Sequence, residues 1–337
     1  MNQKLTVFAV SLAASLVSAD AIASQESPSV AVYQIQKQSA THFSATSELL
    51  SENFEAFCNG KLERSELEQS WKDTIHAWMY LQGQERGPEV ALEKSWSIQF
   101  WPDKKNTTGR KMIQLLRQET PVTSEVIGNS SVTVQGIGAI EWLLFDTQSP
   151  IKENKELVCS TGQAISINLA NNANAINEAW SENPWAEVNT KQWHSEYLAL
   201  LSNQLDYSMK KMSRPMAKLA NPKPYFSESW RSQMSMANLK FNIVSLEKVY
   251  LGNGNGLDAI LRELGHAQVA DSIKNQFATM KQTWTDEQSL FKLLKSKEGY
   301  REVLAHYNKF EYLNYLIHEE AAIALGVVVG FNATDGD

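Results

Sequence analysis

Basic clusters are missing from this 337-residue chain. Its 31 Lys and Arg stand against 38 Asp and Glu, for a formal net charge of −7, and no run of cations carries interleaved aromatics. Nucleic acid and anionic membrane surfaces both demand a basic patch, so neither is an expected partner. Cysteine is nearly absent too: the two thiols, Cys58 and Cys159, lack the spacing of a thiolate metal site. Beyond the N-terminus no stretch approaches the roughly 20 apolar residues of a membrane span. Period-two alternation is scarce, so no strand is predicted. Several catalytic signatures are also missing, among them the Gly-x-Ser-x-Gly elbow, a glycine-rich dinucleotide loop and the His-Glu-x-x-His zinc helix. The nearest approach to the last, His318-Glu319-Glu320-Ala321-Ala322, puts alanine where the second histidine belongs.

What is present begins with a leader. A short positive MNQK precedes the apolar run LTVFAVSLAASLV, and Ala21-Ile22-Ala23 has the small-x-small form of a cleavage site. Residues 1–23 therefore read as a signal peptide, with a mature chain beginning at Ser24 and a periplasmic destination. An even cysteine pair in an oxidising compartment favours a disulfide between Cys58 and Cys159; the alternative is two buried free thiols.

Helical periodicity dominates the remainder, which predicts an all-α fold. Helices are expected over 32–57, 65–85, 106–119, 131–145, 154–180, 192–220, 228–251, 257–283, 286–297 and 301–324. The length suggests two domains. The polar, proline-containing stretch 181–190 is the expected linker, separating a helical domain at 24–180 from a helical bundle at 191–337. The run LGNGNG at 251–256 reads as a turn, because a phosphate cradle would need a preceding strand and a Lys-Ser/Thr pair.

One stretch, VQGIGAIEWLLFD at 134–146, raises a chemical question. Glu141 is a lone acid on a helix that is apolar all round. A buried, unpaired carboxylate costs several kcal/mol, roughly, so it must find a cation, a metal, hydrogen-bond donors or a proton. Lys105 and Arg110 are the candidate cations in the same half. Gly138 lies one turn before Glu141 on the same face. With Gly136 it implies either close backbone approach or space kept clear beside the acid.

This stretch resembles the central motif of the imelysin-like proteins, Gly-x-His-x-x-Glu followed by an aromatic-Leu-Leu run. Phe57-Cys58, Trp71 with Trp78, and Phe100-Trp101-Pro102-Asp103-Lys104-Lys105-Asn106 resemble the family's first half. Trp230-Arg231-Ser232 and Tyr250-Leu251-Gly252 resemble its second half, and Leu325-Gly326 to Asp337 its ending. The resemblance implies an all-helical, two-domain periplasmic or envelope protein tied to iron acquisition; some members are described as peptidases. Gly136 and Glu141 match the motif, but Gly138 stands where the motif has histidine. A His and a Glu at this spacing can reach one metal ion from one helix face, and a glycine offers no ligand. The expectation is therefore a non-enzymatic binding protein, with iron or another divalent metal as a candidate ligand and an envelope iron-uptake protein as a candidate partner. Its site would gather Glu141, Gly136, Gly138, Asp103, Arg110, Glu85 and His76. A metallopeptidase and a pure interaction module are the rival readings.

Overall fold

Helices form wherever the apolar positions recur at helical spacing, and the computed structural model contains no strand among the described residues, 27–118, 122–218 and 221–327. The leader, its cleavage point, the far ends of the expected helices 106–119 and 192–220, and residues 328–337 of the family-like ending lie outside the described residues. The helices run α1 (Val30–Cys58), α2 (Arg64–Trp78), α3 (Glu89–Glu93), α4 (Ser95–Ile98), α5 (Thr107–Leu116), α6 (Ser124–Gly128), α7 (Ile137–Phe145) and α8 (Lys155–Ala179). After the turn at 180–189 come α9 (Thr190–Met216), α10 (Ser235–Leu251), α11 (Leu257–Glu263), α12 (Ala267–Gln282), α13 (Leu290–Leu293), α14 (Lys297–Tyr315) and, beyond a π-helical turn at Leu316–Ala321, α15 (Ala322–Leu325).

In the first half α1 lies along α8 and α2, with α7 packed on α5, α8 and α2. The Cys58–Cys159 disulfide, Cα atoms 5.6 Å apart, joins the end of α1 to the beginning of α8. In the second half α9 packs on α14 and α10, and α12 on α14, α10 and α11. Buried apolar side chains of both halves form one contiguous cluster.

Polar contacts cross between the halves where α2 ends. The last carbonyls of a helix have no partner within it. Those just past α2 are met from the second half: Asn242 Nδ2 donates to the Met79 carbonyl at 2.9 Å, and Gln204 Nε2 and Ser245 Oγ donate to the Tyr80 carbonyl, each at 3.2 Å. Deeper in the same seam, Lys211 and Glu228 form a fully buried ion pair at 3.0 Å. The Lys211 ammonium also donates to Gln82 Oε1 at 2.9 Å and Asn242 Oδ1 at 2.7 Å. Glu228 accepts from Gln99 Nε2 at 2.7 Å and Asn238 Nδ2 at 3.1 Å.

The predicted helix 286–297 keeps only Leu290–Leu293, and four others are cut short or divided, each at an identifiable residue. The 131–145 segment becomes a short 3₁₀ turn at Val132–Val134 and then α7, because Gly136 is extended. The 228–251 segment is helical only from Ser235, because Ser229 and Gln233 have φ of 50° and 63°, in the left-handed region. Gly265, at φ 86°, divides 257–283 into α11 and α12. The 65–85 segment stops at Trp78, and Gly83 beyond it has φ 79°.

Candidate functional site

The two motif glycines do different work. A Cβ on Gly136 would sit 2.1 Å from the Ile98 carbonyl oxygen and 2.4 Å from that of Ser97, so this position is glycine because α4 passes directly over it. That contact sets where α7 begins. A Cβ on Gly138 would meet nothing within 4 Å, so this position is side-chain-free space. The space belongs to a cavity of about 30 Å³ lined by Gly138, Glu141, Asp103, Glu228 and Arg231, with Trp101, Tyr225 and Trp230 around it. Such a volume admits one or two water molecules.

Glu141 is buried, at 4% exposure, in a helix otherwise made of apolar side chains. Its partners come from the other half of the chain. The Ser232 backbone N–H donates to Oε1 at 2.9 Å and the Ser232 hydroxyl donates to the same oxygen at 2.8 Å. Burial pushes the Glu141 pKa above the usual carboxylate range, opposed by the nearby Arg231 guanidinium and the two Ser232 bonds. The Lys105 and Arg110 pairing expected from the sequence does not form. Lys105 is exposed, and Arg110 is exposed with its guanidinium directed to Thr107 Oγ1 at 3.5 Å. Arg231 takes the cationic role instead. It bonds Asp146, at the end of α7, at 2.6 Å and Asn106, at the start of α5, at 2.6 Å, and lies 4.5 Å from the Trp230 ring centroid.

The turn at 227–234 thus presses Ser232 and Arg231 onto the first half. Its two left-handed non-glycine residues each cost of order 1 kcal/mol, a strain the surrounding bonds must hold. Gln233 is fixed by donating to the Trp230 carbonyl at 2.5 Å and accepting from Ser289 Oγ at 2.7 Å.

The other expected site residues are dispersed. Asp103 lines the cavity, but both its oxygens are engaged, accepting the Thr107 and Thr108 amides at 2.6 and 2.9 Å and so capping α5. Glu85 is exposed beside a different, larger cavity. His76 stacks on Phe241, ring centroids 4.0 Å apart, and burial lowers its pKa to about 4, which keeps the ring neutral. Sequence reasoning assigned no role to Arg231, Ser232, Glu228 or Lys211. The Trp230-Arg231-Ser232 string was visible as part of the resemblance, whereas no local pattern marks Lys211 and Glu228 as a pair.

The family model for Imelysin, a peptidase family, matches residues 36–317 of this sequence. The chain belongs to the imelysin family. Among solved structures, an imelysin-like protein from Psychrobacter arcticum 273-4 is similar with a TM-score of 0.73 at 18% identity, over 90% of this chain and 96% of that one. A protein from Parabacteroides distasonis ATCC 8503 described as an iron-regulated protein A precursor is similar with a TM-score of 0.60 at 11% identity, over 89% of this chain and 94% of that one. At these identities the likeness is one of fold. No curated protein matches the chain.

The peptidase label invites a catalytic metal centre with three protein ligands at the imelysin motif, and the residues here do not fit one. Gly138 offers no ligand, Glu141 Oε1 is filled by two Ser232 donors, and both Asp103 oxygens cap a helix. Among the described residues, no three His, Cys, Asp or Glu side chains gather closely enough to hold a metal ion. Nor is any described helix long and apolar enough to cross a membrane.

Proposed function

We propose that this imelysin protein is exported and non-catalytic, and that it serves iron acquisition as a binding component whose recognition point is the seam around Glu141. The observation that carries this reading is the state of the motif acid: a buried carboxylate held by Ser232, facing space that the motif histidine would otherwise occupy. The disulfide is consistent with an oxidising compartment, and the iron link rests on the family. A cavity of about 30 Å³ holds nothing larger than water or a single ion. A bulkier ligand must be recognised at its aromatic mouth, where Tyr225 is 62% exposed beside Trp230.

Calorimetric titration with ferrous, ferric and zinc ions and with haem tests the reading, using the wild type, Glu141→Ala and Glu141→Gln. The expected result is binding of one iron species, weakened about tenfold or more in both variants while their melting temperatures confirm folding. Silence in every titration overturns ligand binding and leaves docking to an envelope partner. Casein cleavage that is abolished by a chelator and lost in Glu141→Ala would overturn the non-catalytic reading in favour of a metallopeptidase.

A further inference from the structure

Four aromatic rings surround a second cavity, of about 350 Å³: the buried Trp78 and Trp101 and the exposed Trp96 from the first half, and the half-buried Tyr207 from α9, with Glu85 at its margin. That volume suits a small organic molecule. The walls are fixed in place. Gly83, at φ 79°, lets the chain pass so close to Tyr207 that a Cβ there would lie 2.5 Å from the Tyr207 Cβ. Trp101 meets Tyr207 edge-to-face with centroids 5.6 Å apart, and its indole N–H donates to the Phe226 carbonyl at 3.0 Å. Trp78 donates to Gln99 Oε1 at 2.9 Å.

These hydrogen bonds narrow the ligand class. A sugar or other polyhydroxy compound needs free donors and acceptors in the lining. Here the indole N–H groups of Trp78 and Trp101 are spent on the protein. The two carboxamides in the floor are spent on one another and on the buried pair: Gln82 Nε2 donates to Gln99 Oε1 at 2.5 Å, Gln99 Nε2 to Glu228 at 2.7 Å, and Gln82 Oε1 accepts from Lys211. Gln84 is engaged with Gln36. What remains to a ligand is mostly ring surface, the Glu85 carboxylate, the Ser95 and Tyr207 hydroxyls and the Trp96 indole N–H, and no Lys or Arg lines the cavity. Aromatic faces with a nearby acid attract a cation, most of all one whose charge is spread under methyl groups and needs no hydrogen bonds. The Trp101 ring already draws a guanidinium of the protein itself, Arg214, whose carbon lies 5.7 Å from the ring centroid.

We propose that this cavity is a binding site for a small alkylated ammonium compound, with Trp96, Trp101 and Tyr207 as its cage and Glu85 as its counter-charge. The proposal does not depend on the reading of Glu141, although Gln99 and Trp101 line both cavities. Trp96 is 54% exposed and Glu85 is also exposed, so both can be replaced without touching the core.

The test is titration of the full chain with choline and with tetramethylammonium chloride at constant ionic strength, read by tryptophan fluorescence and calorimetry. The neutral isostere 3,3-dimethylbutanol and a disaccharide serve as controls. Saturable one-site binding is expected, with Trp96→Ala and Glu85→Gln each weakening it about tenfold and the neutral isostere about tenfold weaker than choline. Glu141→Gln should leave it unchanged, which separates this site from the seam. Equal affinity for choline and its neutral isostere would overturn the cation assignment. Preference for the disaccharide, or no saturable binding of either cation, would overturn the proposal as a whole.

Discussion

Gly136 and Gly138, two residues apart and alike on paper, should respond oppositely to the same substitution. Gly136→Ala drives a methyl group into the Ile98 and Ser97 carbonyls and should cost about 2 kcal/mol or more, because backbone cannot step aside as a side chain can. Gly138→Ala enters open space in a helix and should be neutral or stabilising by up to about 1 kcal/mol. Urea unfolding of the two variants checks the pair; equal losses would show that the cavity is not there. Glu141 supplies a second contrast. Gln keeps an acceptor for Ser232, whereas Lys places a cation beside Arg231, so Glu141→Lys should lose about 3–5 kcal/mol and Glu141→Gln clearly less. Because burial raises the Glu141 pKa, the folded state holds its proton more tightly than the unfolded chain does. That contribution is complete below the ordinary value of 4.5 and is lost as pH rises through the raised one. The stability of the wild type relative to Glu141→Gln should therefore decline from the acid side of 4.5 towards neutrality. A flat difference across that range would contradict the burial. Glu141 was legible because a single acid in an apolar helix breaks its pattern. Ser232 and Arg231 were not, because polar residues in a turn leave no periodic trace.

At the scale of elements, the disulfide ties the two helices that form the backbone of the first half. It closes a loop of 101 residues, and in the chain-entropy view removing such a link costs roughly 4–5 kcal/mol. The Cys58→Ser/Cys159→Ser double variant should show that loss in its urea midpoint, and the wild type in reductant should approach the same curve. The sequence left this bridge open against free thiols, since spacing alone does not bring two cysteines together; the packing of α1 on α8 does. Long helices such as α1, α8 and α9 were readable because their apolar stripes repeat over many turns. The four- and five-residue helices α3, α4 and α6 were not, being too short to display a period. The breaks at Ser229 and Gln233 escaped notice because neither residue is a glycine.

For the molecule as a whole, the Lys211–Glu228 pair and its carboxamide neighbours are the polar centre of the seam. Removing one partner strands a buried charge, so Lys211→Met or Glu228→Leu alone should each cost about 3–5 kcal/mol. The double variant should recover part of that loss, giving a coupling of about 1 kcal/mol or more in a double-mutant cycle measured by urea unfolding. Simple additivity would show that the two charges do not sense one another. Recovery should stop short of complete, because Gln82, Gln99, Asn238 and Asn242 lose bonds in the double variant as well. No single stretch of sequence could disclose this centre: its members come from four separate segments, and each looks like an ordinary polar residue in its own. The carbonyls at the end of α2 carry the same lesson into biosynthesis. Met79 and Tyr80 wait for Asn242, Gln204 and Ser245, and Glu141 waits for Ser232, all of them translated later. A truncated product that stops before α9 would carry these groups with none of their final donors, and quality-control proteases would meet it as an unfinished chain.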